Sequence, residues 1–318
     1  MDTRNSSIKG KAYEYACVLA LQTIVSPVRD IEIEQNESLR IAKSRYENDI
    51  SDKDRSEMIQ SAKAGINVII EMEPKILEDG NDVLTVCLQP DTVAEQAGDI
   101  RDILVIRRNI KWEIGISVKH NHAALKHSRL SQKIDFGKKW FGIGCSEEYF
   151  EEIRPIFSKL KNWKNERKLW RDLTNKEDEI YVPLLAAFAN EFRRLNDSNN
   201  VVDYLIKYLL GSSGNDYYKL IHRSKYTAIM PFNLSGTLNQ ATAKERSKIH
   251  VPTVSLPTRI IELALKDGYK NTLILTMDNG WQISFRIHNA SSKVEPSLKF
   301  DIQLIGQPAD LFYIDREW

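Results

Sequence analysis

Residues 98–130 read GDIRDILVIRRNIKWEIGISVKHNHAALKHSRL, and this stretch decides the fold. Asp102 opens an apolar run, Ile103-Leu104-Val105-Ile106, of the kind that forms a buried strand. Arg107 to Lys111 make a polar turn, and the chain returns from Trp112 to Lys119. There Ile114, Ile116 and Val118 alternate with Glu113, Gly115, Ser117 and Lys119, so the last four share one face of a strand. Folding this hairpin about Asn109 and Ile110 sets Asp102 opposite Ser117, one step from Lys119. A carboxylate and an ammonium at adjacent strand positions suit a divalent metal and a phosphate.

The surroundings fit a polyanionic ligand. Between Arg101 and Lys139 there are ten Lys or Arg against three acids, Asp102, Glu113 and Asp135. A second basic stretch, Arg154 to Lys176, carries eight bases against Glu166 and Asp172. An acidic stretch, Asp30 to Asp79, holds thirteen acids and seven bases, which is how the formal net charge comes to only +1. Local basic stretches in a near-neutral protein allow nucleic-acid binding without overall basicity. Solvated helix faces would give the same counts.

The 318 residues, 42% hydrophobic and 28% charged, describe an ordinary globular protein with room for one large or two modest domains. No apolar run is long enough for a transmembrane helix, and the first residues, MDTRNSSIKGK, lack the apolar core of a secretory signal. Cys17, Cys87 and Cys145 follow no pairing motif and read as reduced thiols in a cytoplasm.

Along the chain, Ile8 to Ile24 reads as a helix, with Tyr13, Ala16, Cys17, Ala20, Leu21 and Ile24 on one stripe. Glu14 stands beside it, as a solvated charge or as a metal ligand. Asn36 to Asp79 is helical, broken at Ser51-Asp52. Asp82 to Leu88 reads as a strand. After Lys119 a helical pattern runs from Ala123 to about Trp140, and Trp140 to Cys145 reads as a last core strand. Ser146 to Asn196 and Val201 to Leu210 are helical. Residues 211–257 read as a long ordered binding loop with an apolar island at Tyr226 to Leu234. Arg259 to Leu265 reads as a short helix. The end is β, with Asn279-Gly280 marking a hairpin between Thr272–Met277 and Trp281–Ile287, followed by a strand from Leu298 to Ile305.

Phosphodiester hydrolysis needs a metal to polarise the phosphate and acidify a water, with cationic help for the transition state. Carboxylates suit Mg2+, a hard ion that keeps several waters. The order of elements (a helix with Glu14, a strand near Val83, a strand at Asp102, a strand ending in Lys119, then a helix) resembles the αβββαβ core of PD-(D/E)XK nucleases. The fold class is therefore α/β (α+β), with that core over residues 1–150 and a helical insertion at about 30–79. Residues 151–318 would form a helical and β-hairpin DNA-recognition region. The chain departs from the pattern at Ser117, where that superfamily carries Asp or Glu. A carboxylate from elsewhere must complete the site. Glu113 lies four residues away, roughly 13 Å along a strand. Glu14 ranks first as the replacement and Asp99 second.

At the level of the whole chain, GDIRDILVI, WEIGISVKHNHAALKHSRLS and SFRIHNASSKVEPSLKFDIQLIG resemble the HaeIII-type family of type II restriction endonucleases. That resemblance implies Mg2+-dependent cleavage of double-stranded DNA at the palindrome GGCC with blunt ends. It also implies a cognate DNA methyltransferase that works alongside without a stable complex, in a bacterial cytoplasm. The expected catalytic set is Asp102, Lys119, Glu14 and Ser117. DNA contacts are expected from His120 and Asn121, and phosphate contacts from Lys126, His127 and Arg129 beside the hairpin. Groove contacts are expected from Arg286, His288, Asn289, Ser291, Lys293 and Lys299. Two rivals stand: a His-metal nuclease built on His120, His122 and His127, and a non-catalytic sequence-specific DNA-binding protein.

Overall fold

The computed structural model describes residues 3–92, 99–120, 127–211 and 215–318. It is a mixed α/β chain with two sheets, grouped into two compact units that interleave along the sequence. Unit 1 takes residues 1–123, 211–255 and 309–318, and unit 2 takes 124–210 and 256–308. This division differs from a single boundary at residue 150, because unit 1 recruits strands from two later stretches.

Unit 1 opens with helix α1 (Thr3–Val25) and strand β1 (Ile31–Ile33). Helices α2 (Glu37–Asn48) and α3 (Asp52–Met72) come next, each started by a side-chain cap: Asn36 accepts from Leu39 N, and Ser51 from Asp54 N. Strands β2 (Leu84–Leu88), β3 (Ile103–Arg107) and β4 (Trp112–His120) form an antiparallel meander. The stretch 30–79 is more than a helical insertion. Its β1 pairs in parallel with β2, and Ala62, Ile66 and Ile69 of α3 are fully buried. Gly65 brings α3 so close to the sheet that a Cβ there would meet Leu220 Cδ1 at 2.5 Å.

The stretch 211–257 is a second correction. It supplies two core strands, β6 (Tyr217–His222), parallel to β4, and β7 (Tyr226–Phe232), antiparallel to β6. Buried Asp216 organises the turn after β7, accepting from the backbone N–H groups of Leu234, Ser235 and Thr237. The seven-stranded sheet closes with β12 (Ile314–Glu317) on β7, in the order β1-β2-β3-β4-β6-β7-β12.

Unit 2 holds β5 (His127–Leu130), α4 (Phe136–Phe141), α5 (Glu147–Asn165), α6 (Val182–Asn199) and α7 (Val202–Leu209). It also holds β8 (Ile260–Leu265), β9 (Thr272–Met277), β10 (Gln282–His288) and β11 (Leu298–Gly306), in the sheet order β5-β11-β10-β9-β8. Three expectations fail here. The helical pattern after Ala123 gives way to β5, which pairs with β11 and leaves only the short α4. The apolar run Trp140 to Cys145 ends α4 at left-handed Gly142 instead of forming a strand. The run read as a helix from Arg259 to Leu265 holds the edge strand β8, paired with β9. Each run is short, and a short apolar run does not separate helix from strand until a partner strand decides it. The Asn279-Gly280 turn behaves as expected, both residues adopting positive φ. Rings of Phe136, Trp140, Phe188, Phe285 and Phe300 form the core of unit 2.

Candidate active site

The hairpin register matches the sequence reading. Ile103 faces Ile116, and the Asp102 N–H donates to Ile116 O at 2.9 Å, which sets Asp102 across from Ser117. The turn is a single 3-10 turn, Arg108–Ile110, closed by left-handed Lys111. Three donors of β4 converge on one carboxylate oxygen, Asp102 Oδ2: Val118 N at 2.6 Å, Lys119 Nζ at 3.1 Å and Ser117 Oγ at 3.3 Å.

Helix α1 brings Glu14 to the same place. The residue is only 7% exposed, and Lys11 Nζ donates to its Oε2 at 3.0 Å. Burial pushes the Glu14 carboxyl up to about 7, the Asp102 charge adds to that rise, and Lys11 and Lys119 oppose it. Glu14 and Asp102 repel each other, a repulsion that a divalent cation held by both would relieve. The cleft measures about 350 Å³, with Lys11, Glu14, Asp91, Lys119 and His120 in its wall. Among the described residues no three His, Cys, Asp or Glu side chains converge to hold a metal. Mg2+ does not require three, since it is commonly held through one or two carboxylates with waters completing its shell.

Asp99 and Glu113 are corrected as metal ligands. The Arg101 guanidinium grips Asp99 through Nε and Nη2, the latter at 2.7 Å, and Gln89 donates to Asp99 as well. Burial alone would raise the Asp99 carboxyl, but these bonds hold it below the usual range. Arg101 Nη1 takes Glu113 Oε1 at 2.7 Å. Gly115 leaves room for this arginine, since a Cβ there would sit 2.0 Å from Arg101 Cδ. The two carboxylates thus neutralise a structural arginine.

His120 stacks on His222 at 4.8 Å, and His222 stacks in turn on Trp318 at 5.4 Å. Burial first, then the His120 charge, lowers His222 to about 4. The His-metal reading turns on His120, His122 and His127 together, and of these only the side chain of His120 is described. Asn121, His122 and Lys126 lie outside the described residues, as does the side chain of His127.

In unit 2 the expected DNA contacts from distant stretches share one sheet. His288 aligns with Lys299 across β10 and β11, and Lys299 aligns with Arg129 across β11 and β5. Aligned positions share a face, so Arg129, Lys299 and His288 form a row across three strands. The alternate positions, Ile287 and Phe300, are fully buried. Arg129 also reaches Glu295 at 3.1 Å, and Arg286 reaches Asp301 at 3.2 Å. Asn289 and Ser291 have a different part. Asn289 Nδ2 donates to the carbonyls of Ser291 and Lys293, and its Oδ1 accepts from Glu295 N. Ser291 Oγ accepts from Lys293 N. They shape the β10–β11 loop, which is tied to the basic stretch through Trp170 N to Ser292 O and Val294 N to Lys168 O.

Sequence reasoning missed Lys219. It aligns with Ser117 on the parallel neighbour β6, on the same face, and is 5% exposed. The signal was one charge inside the apolar run Tyr217 to His222, masked by reading that run as loop.

The family model for the HaeIII restriction endonuclease matches residues 10–308. The type II restriction enzyme HaeIII of Haemophilus aegyptius is 47% identical over 320 residues, covering 99% of each chain. No solved structure matches the chain. An enzyme family of this kind excludes the non-catalytic DNA-binding reading. Taken with the hairpin geometry, a match of this extent means that the chain belongs to the HaeIII restriction endonuclease family and is a type II site-specific deoxyribonuclease.

Proposed function

We propose that the enzyme hydrolyses phosphodiester bonds of double-stranded DNA at GGCC, leaving blunt ends, with Mg2+ as cofactor, through a PD-(D/E)XK-type site centred on Asp102. The observation that carries this is the convergence of Val118 N, Ser117 Oγ and Lys119 Nζ on Asp102 Oδ2, beside the buried carboxylate of Glu14. Asp102 and Glu14 would hold the ion. Once bound, the ion supplies Lewis-acid polarisation of the phosphate and acidification of a water. Val118 and Ser117 fix the Asp102 carboxylate, so its position costs nothing to organise when substrate arrives. Lys119, with its side chain one-third exposed, carries a positive charge into the cleft, where the phosphate develops negative charge. Glu14 lies close enough to Asp102 for their charges to interact, and together they bring two negative charges to the ion.

Recognition falls to the row Arg129, Lys299 and His288, with Arg286 and Lys293 nearby. Arg and Lys suit the O6 and N7 acceptors of guanine in the major groove, as a G·C palindrome demands. A cognate methyltransferase protecting the same sequence completes the system, and the setting is cytoplasmic. Among the described residues no helix is long and apolar enough to cross a membrane.

The test is incubation of unmethylated plasmid with Mg2+ for the wild type, Lys119→Ala and Asp102→Asn. Blunt fragments ending at GGCC, absent from both variants and from plasmid methylated at GGCC, are expected. Fragments at another sequence would refute the specificity, and cleavage by Asp102→Asn would refute the site.

A further inference from the structure

Each carboxylate of the candidate metal pair has its own lysine. Lys119 Nζ lies 3.1 Å from Asp102 Oδ2, and Lys11 Nζ lies 3.0 Å from Glu14 Oε2. Lys11 precedes Glu14 by three residues on α1, so helix geometry alone brings the two side chains together. Its ammonium has a second partner from a distant part of the chain, Asp91 Oδ1 at 2.7 Å. The two partners differ in setting: the Glu14 side chain is 9% exposed and that of Asp91 75%. All three line the same cleft as Lys119. Burial works against the Lys11 charge, but Glu14 and Asp91 more than offset it and hold the ammonium above its ordinary value.

A buried carboxylate facing another needs a positive charge beside it. Lys11 supplies that charge to Glu14. A divalent ion held by Glu14 and Asp102 would supply it a second time, and two cations at one carboxylate repel each other. Asp91 offers the displaced ammonium a place already within hydrogen-bond reach.

Resting on the nuclease reading above, we propose that Lys11 is the resident counter-cation of Glu14, which yields to the divalent ion and passes to Asp91. Lys11 is a positioning residue: it holds the Glu14 carboxylate in place beforehand and sets how tightly the ion binds. The competition keeps metal affinity low until DNA adds the negative charge of its phosphates to the cleft.

The experiment compares wild type, Lys11→Met, Lys11→Arg, Asp91→Asn, the double variant Lys11→Met/Asp91→Asn, and Asp102→Asn. Without DNA, Ca2+ binding is followed by calorimetry and by the rise in thermal midpoint that it causes. Lys11→Met is expected to bind Ca2+ on the order of tenfold more tightly than wild type, because the competing charge is gone. Lys11→Arg, which keeps the charge, is expected to stay within about threefold of wild type. Asp91→Asn denies the ammonium its alternative, so it is expected to weaken binding about threefold, an effect that vanishes in the Lys11→Met background. A lysine with a merely structural role does not give this sign, since its loss loosens fold and site together. Equal or weaker Ca2+ binding by folded Lys11→Met would overturn the proposal. So would an Asp91→Asn effect that survives in the double variant, which would make Asp91 a ligand of the ion. If Lys11→Met fails to fold, Asp91→Asn decides alone, and affinity at or above wild type overturns the proposal. Undiminished Ca2+ binding by Asp102→Asn would mean that the nuclease site itself is misassigned. Loss of binding there without a gain in Lys11→Met fails this proposal and leaves the nuclease reading standing.

Discussion

The backbone N–H of Val118 donates to Asp102 Oδ2 at 2.6 Å, so the carboxylate is held by a group that no side-chain substitution on β4 short of proline removes. Lys119 Nζ, at 3.1 Å from the same oxygen, is therefore dispensable for placing Asp102. Lys119→Met should leave the thermal midpoint within about 2 °C of wild type and duplex affinity nearly unchanged, while cleavage falls 10²–10³-fold, roughly 3–4 kcal/mol of transition-state stabilisation. Single-turnover rates beside a Ca2+ binding assay would separate the two effects. A matching loss of affinity would mean that Lys119 holds ground-state phosphate instead.

Ser117 is fully buried and donates to Asp102. Ser117→Asp would place a second carboxylate beside Asp102 and within the field of Glu14. Without metal this like-charge crowding should lower the melting temperature by several degrees. Added Mg2+ or Ca2+ should then raise it by more than it raises wild type, because an ion binds the acid-enriched site more tightly. Differential scanning calorimetry with and without metal measures both shifts. Equal metal-induced shifts in the two proteins would show that position 117 does not face the ion.

Glu73 offers a pH test remote from the cleft. Burial pushes its carboxyl up to about 7, although Asn239 N and Tyr218 OH both donate to Oε1. Among the described residues Oε2 is buried without a hydrogen-bond partner, which suits a proton there. In the unfolded chain the group titrates near 4.3, so between that value and about 7 the folded state binds the extra proton. Stability should fall as pH rises through this window, by on the order of 3 kcal/mol from this group, and level off above it. Glu73→Gln should flatten that decline and exceed wild type in stability at pH 8. Urea denaturation across pH 4–8 would measure it, and identical slopes for the two proteins would refute it.

Asn289 ties three backbone groups of the β10–β11 loop. Asn289→Ala should loosen the loop, raising KM for GGCC duplex about tenfold at nearly constant kcat, with little effect on global stability because two of the three bonds are exposed. Steady-state kinetics with hydrogen exchange over residues 289–295 would check both. A drop in kcat alone would mean that the loop acts in the chemical step.

The sequence made the hairpin legible for a physical reason. Strict alternation from Glu113 to Lys119 and the short turn left one register that buries Ile114, Ile116 and Val118, and that register placed Asp102 opposite Ser117. Helix α1 was legible from its apolar stripe, and Glu14 with it. What stayed hidden depended on partners far away in the chain. Strand β5 exists because β11 pairs with it, β8 because β9 does, and β6 because β4 offers a parallel edge. Parallel pairing leaves no local turn to announce it, which is why Lys219 escaped notice. Asp99 misled for the opposite reason: its true partner, Arg101, was two residues away, and spacing alone could not tell a guanidinium from a metal.

The interleaving of the two units carries a consequence in time. A ribosome delivers the Asp102–Lys119 hairpin early, yet β6 arrives only after β5 and helices α4 to α7, and β12 only after β8 to β11. During synthesis the hairpin waits with one edge bare, and the sheet cannot close on β7 until residues 314–317 have emerged. Pairings so distant in sequence form slowly. The ability to cut is thereby deferred to the end of translation, so a half-made chain lacks the framework of its own active site.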